Sequence, residues 1–241
     1  MKRVSFSLLF STLSLLSQAL FASGAVKENP AFIQFNNPFY IAAGAGIMSA
    51  NFNLKYNDLL DVIPQNFANS VSQNGYTGGL AVGYSHLVFE RYLIGLELSG
   101  NALTNNYAKL YQGSSSAAFN DTLQLKYFVD LDIVPGILLT DSVAAYLKLG
   151  LSNASVYDSL TSPTGLIPGI TNYHYTKTQV GFAAGLGVKK YLSSHWSVFS
   201  EFVYHDYGSI KFKNFQNFTT TYSHSTRLTE AGINIGAAFH F

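Results

Sequence analysis

Apolar and polar positions alternate at period two in eight segments of the chain, the periodicity of a β-strand with one greasy face. From Phe39 to Ala50, Phe39, Ile41, Ala43, Ala45 and Ile47 share one face and Tyr40, Gly44, Gly46 and Met48 the other. Tyr76 to Ser85 sets Leu80, Val82 and Tyr84 against Gly79, Ala81 and Gly83, and Tyr92 to Leu103 sets Ile94, Leu96 and Leu98 against Gly95, Glu97 and Ser99. The fourth segment is the clearest. Leu123, Leu125, Tyr127, Val129, Leu131 and Ile133 alternate with Gln124, Lys126, Phe128, Asp130 and Asp132. Four more follow: Val143 to Ser152, Lys177 to Val188, Trp196 to His205, and Thr226 to Phe241. In a soluble sheet each greasy face needs a facing layer to bury it. Repeated alternation with almost no helical pattern between suits a closed sheet whose outer face meets lipid; a secreted β-sandwich is the alternative.

The links between segments alternate in length. Residues 86–91, 139–142 and 189–195 are short turns, whereas 51–75, 104–120, 155–172 and 209–223 are long and polar. Three short and four long connections fit eight antiparallel strands with both ends of the sheet on the short-turn side. The chain therefore reads as an all-β, eight-stranded antiparallel transmembrane β-barrel over residues 39–241, with four long surface loops and short turns. Ahead of it, Met1-Lys2-Arg3 is a basic start, Val4 to Phe21 an apolar stretch, and Ala22-Ser23-Gly24-Ala25 a run of small residues. That is the pattern of a secretory signal peptide over 1–22, cut after Ala22 or Ala25. Residues 26–38, with Pro30 and Pro38, read as a periplasmic N-terminal arm.

Face assignment puts Glu97, Lys126, Asp130, Asp132, Lys148, Lys177, Glu201 and Glu230 inside the barrel as one interior polar network. A Lys or Arg facing lipid at midplane costs roughly 2–4 kcal/mol, which supports keeping these charges off the outer face. Eight strands leave an interior just wide enough for side chains to fill, so a packed, ion-paired lumen is expected rather than a wide channel. Tyr84, Tyr92, Trp196, Phe239 and Phe241 at the short-turn end, and Tyr157, Tyr173, Tyr175, Tyr204 and Tyr207 at the long-loop end, form two expected aromatic girdles.

Composition adds to this. Only 11 % of the 241 residues are charged and 15 % are aromatic, a balance suited to strands and membrane interfaces. There is no Cys, hence no disulfide framework or thiolate metal site. Without the leader, 12 basic side chains face 13 acidic ones. No basic patch for nucleic acid follows from that balance.

The strand count, the turn asymmetry, the segment VDLDIVPGILLTDSVAAYLKLG and the closing AAFHF resemble eight-stranded bacterial outer-membrane barrels: the OmpA transmembrane domain, OmpX and the opacity proteins. The resemblance covers about Phe39 to Phe241. It implies the outer membrane of a Gram-negative bacterium, contact with lipid and lipopolysaccharide, and a monomer. It also implies that Phe239 and Phe241 belong to a signal read by the outer-membrane insertion machinery.

Candidate chemistry is sparse. Serine–histidine neighbours occur at His205 with Ser209 and at His224 with Ser225, with Glu230 downstream, but the His-x-Ser-Asn pattern of lipid A deacylases is absent. The six histidines show no metal-binding spacing. No catalytic, cofactor-binding or metal residues are expected. The function expected is that of an adhesin-like surface protein acting through its loops over a plugged polar lumen, with a possible host or surface ligand. A small porin-like channel is the alternative, and a lipid A-modifying enzyme a distant third.

Overall fold

A computed structural model describes residues 37–58, 65–89, 91–104, 107–114, 117–161, 172–212, 215–217 and 220–241. The expected signal peptide and residues 26–36 of the expected arm lie outside them. The strands are β1 (Phe39–Asp58), β2 (Gln65–Val88), β3 (Tyr92–Thr104), β4 (Tyr107–Ser114), β5 (Ala117–Ile133), β6 (Gly136–Thr140), β7 (Val143–Thr161), β8 (Asn172–Tyr191), β9 (Trp196–Lys211), β10 (Phe215–Asn217) and β11 (Thr220–His240). No helix occurs among the described residues.

The sheet closes on itself. Antiparallel ladders run from β1 to β2, β3, β5, β7, β8, β9 and β11, and β11 pairs back with β1. That is eight positions around the ring. The short strand β6 makes a ninth member by sharing one position with β5: both lie between β3 and β7. The break between them is Val134-Pro135, where proline has no N–H for the ladder. Flanking bonds hold the line, with Val134 N–H donating to the Gly95 carbonyl and Leu147 N–H to the Pro135 carbonyl, both at 2.8 Å. Alternation alone places residues 136–138 outside any strand.

The long polar links are mostly strand. β1 runs eight residues past Ala50 and β2 begins at Gln65, so only 59–64 separate them. Within 104–120, β4 and β5 form a hairpin paired from Tyr107↔Gln124 to Ser114↔Ala117. Asp158, expected in a surface loop, is buried on β7.

Each wall has two zones. At the short-turn side, Ile41, Ile47, Leu80, Val82, Ile94, Leu96, Leu98, Leu131, Leu149, Leu151, Val180 and Leu186 point outward and are exposed. This belt is bounded below by Phe39, Tyr84, Tyr92, Trp196, Phe239 and Phe241, with Trp196 edge-on to Phe239 at 5.2 Å, and above by Tyr76, Tyr127 and Tyr204. Burying so many apolar faces requires lipid. Of the upper girdle expected from sequence, Tyr204 belongs to the rim. Tyr207 points inward and is buried, Tyr175 packs against Phe212 inside, and the side chain of Tyr173 lies outside the described residues. Above the belt the polarity inverts: Asn53 and Lys55 face out, while Phe52 and Leu54 are fully buried inside.

β1 passes through this inversion with unbroken register, whereas β5 and β9 each carry a bulge there. On β5 the register with β7 slips between Leu125 and Tyr127, leaving Lys126 unpaired. On β9 the register with β11 slips beside Gly208, which adopts φ +65° and takes a 2.9 Å hydrogen bond from its own N–H to the Asp206 carboxylate. An extra residue rotates every later side chain to the opposite face. Thus Tyr207 is inward, and so are Ile210 and Phe212 beyond the bulge.

Candidate functional site

The feature most capable of function is the interior. It is stacked in three tiers. The floor, at the short-turn end, is apolar and aromatic: Tyr40, Ala42 and Ala238 with Phe199, and Leu93, Ala144 and Tyr191. The cap, above the membrane belt, gathers Phe52, Leu54, Leu123, Leu125, Val156, Ile210, Phe212 and Leu228. Between them lies a charged tier built from β3, β5, β7 and β9.

Lys148 on β7 is its hub. Its ammonium lies 2.7 Å from Glu97, 3.5 Å from Asp132 and 3.6 Å from Glu201. Glu97 and Asp132 are direct cross-strand partners, a pairing of like charges that is unfavourable until a cation sits between them. Room for Asp132 comes from glycine: a Cβ on Gly150 would collide with the Leu131 carbonyl and the Asp132 carboxylate. The phenols of Tyr40 and Tyr146 complete the shell, donating to Glu97 at 2.6 Å and to Glu201 at 3.0 Å, and the Asn234 amide donates to Glu201 at 3.4 Å. Lys189 rests 4.4 Å from the Tyr40 ring centroid and 5.7 Å from that of Tyr146. A cavity of about 40 Å³ opens among these groups, enough for a water molecule or two.

A second cluster sits just under the cap. His205 lies between Asp130, 3.4 Å from its Nε2, and Glu230, 3.5 Å from its Nδ1. Phe128 and Tyr207 flank its ring, at 4.7 Å and 5.8 Å between centroids. The Ser99 hydroxyl donates to Asp130 at 3.5 Å.

The eight residues expected as one interior network therefore divide. Glu97, Asp132, Lys148 and Glu201 come together, and Asp130 and Glu230 meet at His205. Lys177 faces inward near the upper mouth and donates to the Lys211 carbonyl at 2.9 Å, away from both clusters. Lys126 is not interior: the β5 bulge turns it out to solvent, 4.3 Å from the Tyr157 ring centroid. The histidine–serine pair at 205 and 209 is also parted, since the Gly208 bulge leaves His205 buried inside and Ser209 exposed outside. His224's side chain lies outside the described residues. Alternation missed the roles of Tyr40, Tyr146, Lys189 and His205. All four are in phase with the inward face, and Lys189 lies one residue past the alternating segment that ends at Val188.

The arrangement is a closed, antiparallel, lipid-facing barrel with a polar interior, which defines the class as a transmembrane β-barrel protein. Sequence comparison gives the family: residues 10–241 match the model of the outer membrane protein beta-barrel domain, and the chain belongs to that family. It is an outer membrane protein. An uncharacterized protein of Coxiella burnetii is 27 % identical over 216 residues, covering 84 % of this chain and 83 % of that one. Similar solved structures include outer membrane protein OprG from Pseudomonas aeruginosa (14 % identity, 85 % of this chain and 96 % of that one, TM-score 0.48). Neisserial surface protein A is another (15 % identity, 84 % and 97 %, TM-score 0.41), as is the Escherichia coli outer membrane protease OmpT (9 % identity, 90 % and 99 %, TM-score 0.47).

Proposed function

We propose that this protein is a non-conducting, monomeric surface barrel that displays its upper strands and their connections for contact with a host or surface ligand. The observation that supports this most is the three-tier interior. A permeating ion or solute would have to cross an aromatic floor, a layer of paired charges and an apolar cap whose Phe52, Leu123, Leu125, Ile210 and Leu228 are fully buried. Side chains from all sides meet at the axis, as expected for eight strands. The outer wall above the belt, by contrast, is hydrophilic and continuous with the β4–β5 hairpin, and binding tends to reside on such projections from a rigid scaffold. In this reading the termini and short turns are periplasmic, Phe239 and Phe241 serve as the signal for the insertion machinery, and lipopolysaccharide surrounds the upper rim.

Planar-bilayer recording of the refolded barrel tests the closed interior; stable channels of large unit conductance overturn it and favour a porin. Binding of the barrel to host matrix and cell surfaces tests the display role. A version with residues 105–118 replaced by a short turn should bind less, and equal binding by the trimmed barrel argues against that role for the hairpin.

A further inference from the structure

We propose that His205, Asp130 and Glu230 form a pH-sensitive clip that holds the upper half of the molecule shut, and that acid releases it along the seam between β8 and β9. The ladder between these two strands stops at Phe182↔Asp206. Both strands continue upward, β8 to Asn172 along β7 and β9 to Lys211 along β11. On the other side of the ring, β2 leaves β3 at Tyr76↔Thr104 and runs on to Gln65 with β1, while β4 pairs with β5. Among the described residues no ladder joins β8 to β9 above Phe182, or β2 to β4. The upper half is therefore two leaves, β2-β1-β11-β9 and β4-β5-β7-β8, closed face to face over the apolar cap. Side chains span the β8–β9 seam where backbone bonds would: the Lys177 ammonium donates to the Lys211 carbonyl at 2.9 Å, and Tyr175 meets Phe212 edge-on at 6.5 Å.

His205 stands at the foot of that seam. Its ladder partner on β8, Ala183, is one pair below the last rung. Glu230 is its direct partner on β11, within the same leaf, whereas Asp130 comes from β5 in the other leaf. The imidazole thus joins the two leaves where they begin to separate. Its contacts, 3.4 Å to Asp130 and 3.5 Å to Glu230, are long for hydrogen bonds and rest on charge. Among the described residues, neither Glu230 oxygen nor Asp130 Oδ1 has a hydrogen-bond partner. The other titratable groups facing the cluster are Asp132 on β5 and Tyr207 on β9. From β7, Ser152 bonds the Tyr207 hydroxyl at 2.9 Å and buried Asp158 lies higher on the strand; from β3, Ser99 donates to Asp130. β1 and β8 present Ala50 and Ala183 at this level. Lys148, in the tier below, is committed to Glu97, Asp132 and Glu201.

Carboxyls ordinarily take up a proton at about pH 4 and imidazole at about 6.5, so acid removes both anions and leaves the imidazole charged. While ionised, Asp130 attracts His205 across the leaves. Below that range a buried cation remains with no anion beside it, which is costly. The clip is closed above the carboxyl range and lost as pH falls through it, and its release uncovers Ile210 and Phe212 in the cap. Hydrogen–deuterium exchange of the refolded barrel in detergent, read by mass spectrometry at about pH 7 and about pH 3.5 and corrected for the intrinsic rate at each pH, tests this. Residues 173–181 and 207–211 should exchange roughly tenfold faster in acid, while residues 183–190 and 197–204 of the same strands stay unchanged. Asp130→Asn should exchange fast at both pH values. His205→Gln, which leaves two carboxylates without their cation, should respond in the opposite sense and close in acid. Heat-modifiable gel mobility certifies that each variant is folded, and either variant suffices to decide. Equal exchange of the seam at both pH values overturns the clip, as does equal acceleration of the belt segments, which marks general acid unfolding. A folded Asp130→Asn or His205→Gln that keeps the full acid response overturns the assignment of the switch to this cluster.

Discussion

Lys148 and Glu97 meet at 2.7 Å inside the barrel although their strands, β7 and β3, are separated around the ring by β5. The contact reaches past the intervening strand rather than following one ladder, and it is by also meeting Glu201 on β9, which faces β3 across the ring, that the ammonium ties opposite walls together. Asp132 on the intervening strand and Glu201 on β9 lie 3.5 Å and 3.6 Å from the same ammonium.

Removing the hub should therefore hurt more than removing a spoke. Lys148→Ala leaves three buried carboxylates facing one another and should cost about 3–5 kcal/mol. Glu201→Ala should cost clearly less, because Lys148 keeps Glu97 and Asp132. Lys55→Ala, exposed outside, should leave the midpoint unchanged. Urea unfolding in matched detergent ranks the three, and Glu201→Ala equal to Lys148→Ala would refute the shared-hub arrangement.

Phe52 and Ile47 lie on the same strand but on opposite sides of the wall, one fully buried and the other 60 % exposed to the surroundings. Phe52→Ala opens a cavity in the cap and should cost about 3–5 kcal/mol. Ile47→Ala removes only contacts with lipid or detergent and should cost much less. The same unfolding experiment reads both, and equal costs would mean that the cap is not dry.

Gly208 holds the β9 bulge at φ +65° with open space where a Cβ would go. Gly208→Ala should cost about 1–2 kcal/mol through backbone conformation alone, and Gly208→Asn less. Gly150→Ala meets backbone and carboxylate instead, and should lower refolding yield further. A refolding series scored by heat-modifiable mobility gives the order.

Phe241 donates its N–H to the Phe39 carbonyl at 3.0 Å, and its ring, half exposed, lies 6.4 Å from that of Phe239. The backbone bond needs no aromatic ring. Phe241→Ala should accordingly refold in detergent nearly as well as the unsubstituted protein, yet reach lower levels in the outer membrane of cells. Unchanged membrane levels count against a role in insertion.

The membrane-spanning half was legible because lipid forces strict alternation, and Glu97, Asp130, Asp132, Lys148, Glu201 and Glu230 fell on the face that alternation gave them. Lys126 did not, and the reason is instructive. Along Leu123 to Ile133 every second residue is apolar, as though one face ran the whole length. In the structure Leu123 and Leu125 point into the cap, whereas Tyr127, Val129, Leu131 and Ile133 point outward. Polarity inverts and the bulge shifts the phase at the same place, so the two changes cancel and the written pattern shows neither. The upper strands read as loops in the sequence for a related reason: with water outside, Asn, Ser and Thr on the outward face look like coil. The His205 cluster depends on contacts across the interior, which a one-dimensional pattern does not contain.

The length of β1 carries a consequence of its own. Twenty residues at about 3.3 Å each span roughly 65 Å along the chain. A tilt of about 40° reduces that to roughly 50 Å along the membrane normal, against a greasy band about 25 Å tall. Roughly half the molecule therefore stands clear of the bilayer as a rigid tower. In the orientation proposed above, its summit offers a bulky partner a docking point well away from the bilayer surface. Shortening β1 and β2 by matched pairs of residues would lower the summit step by step while leaving the part within the membrane untouched.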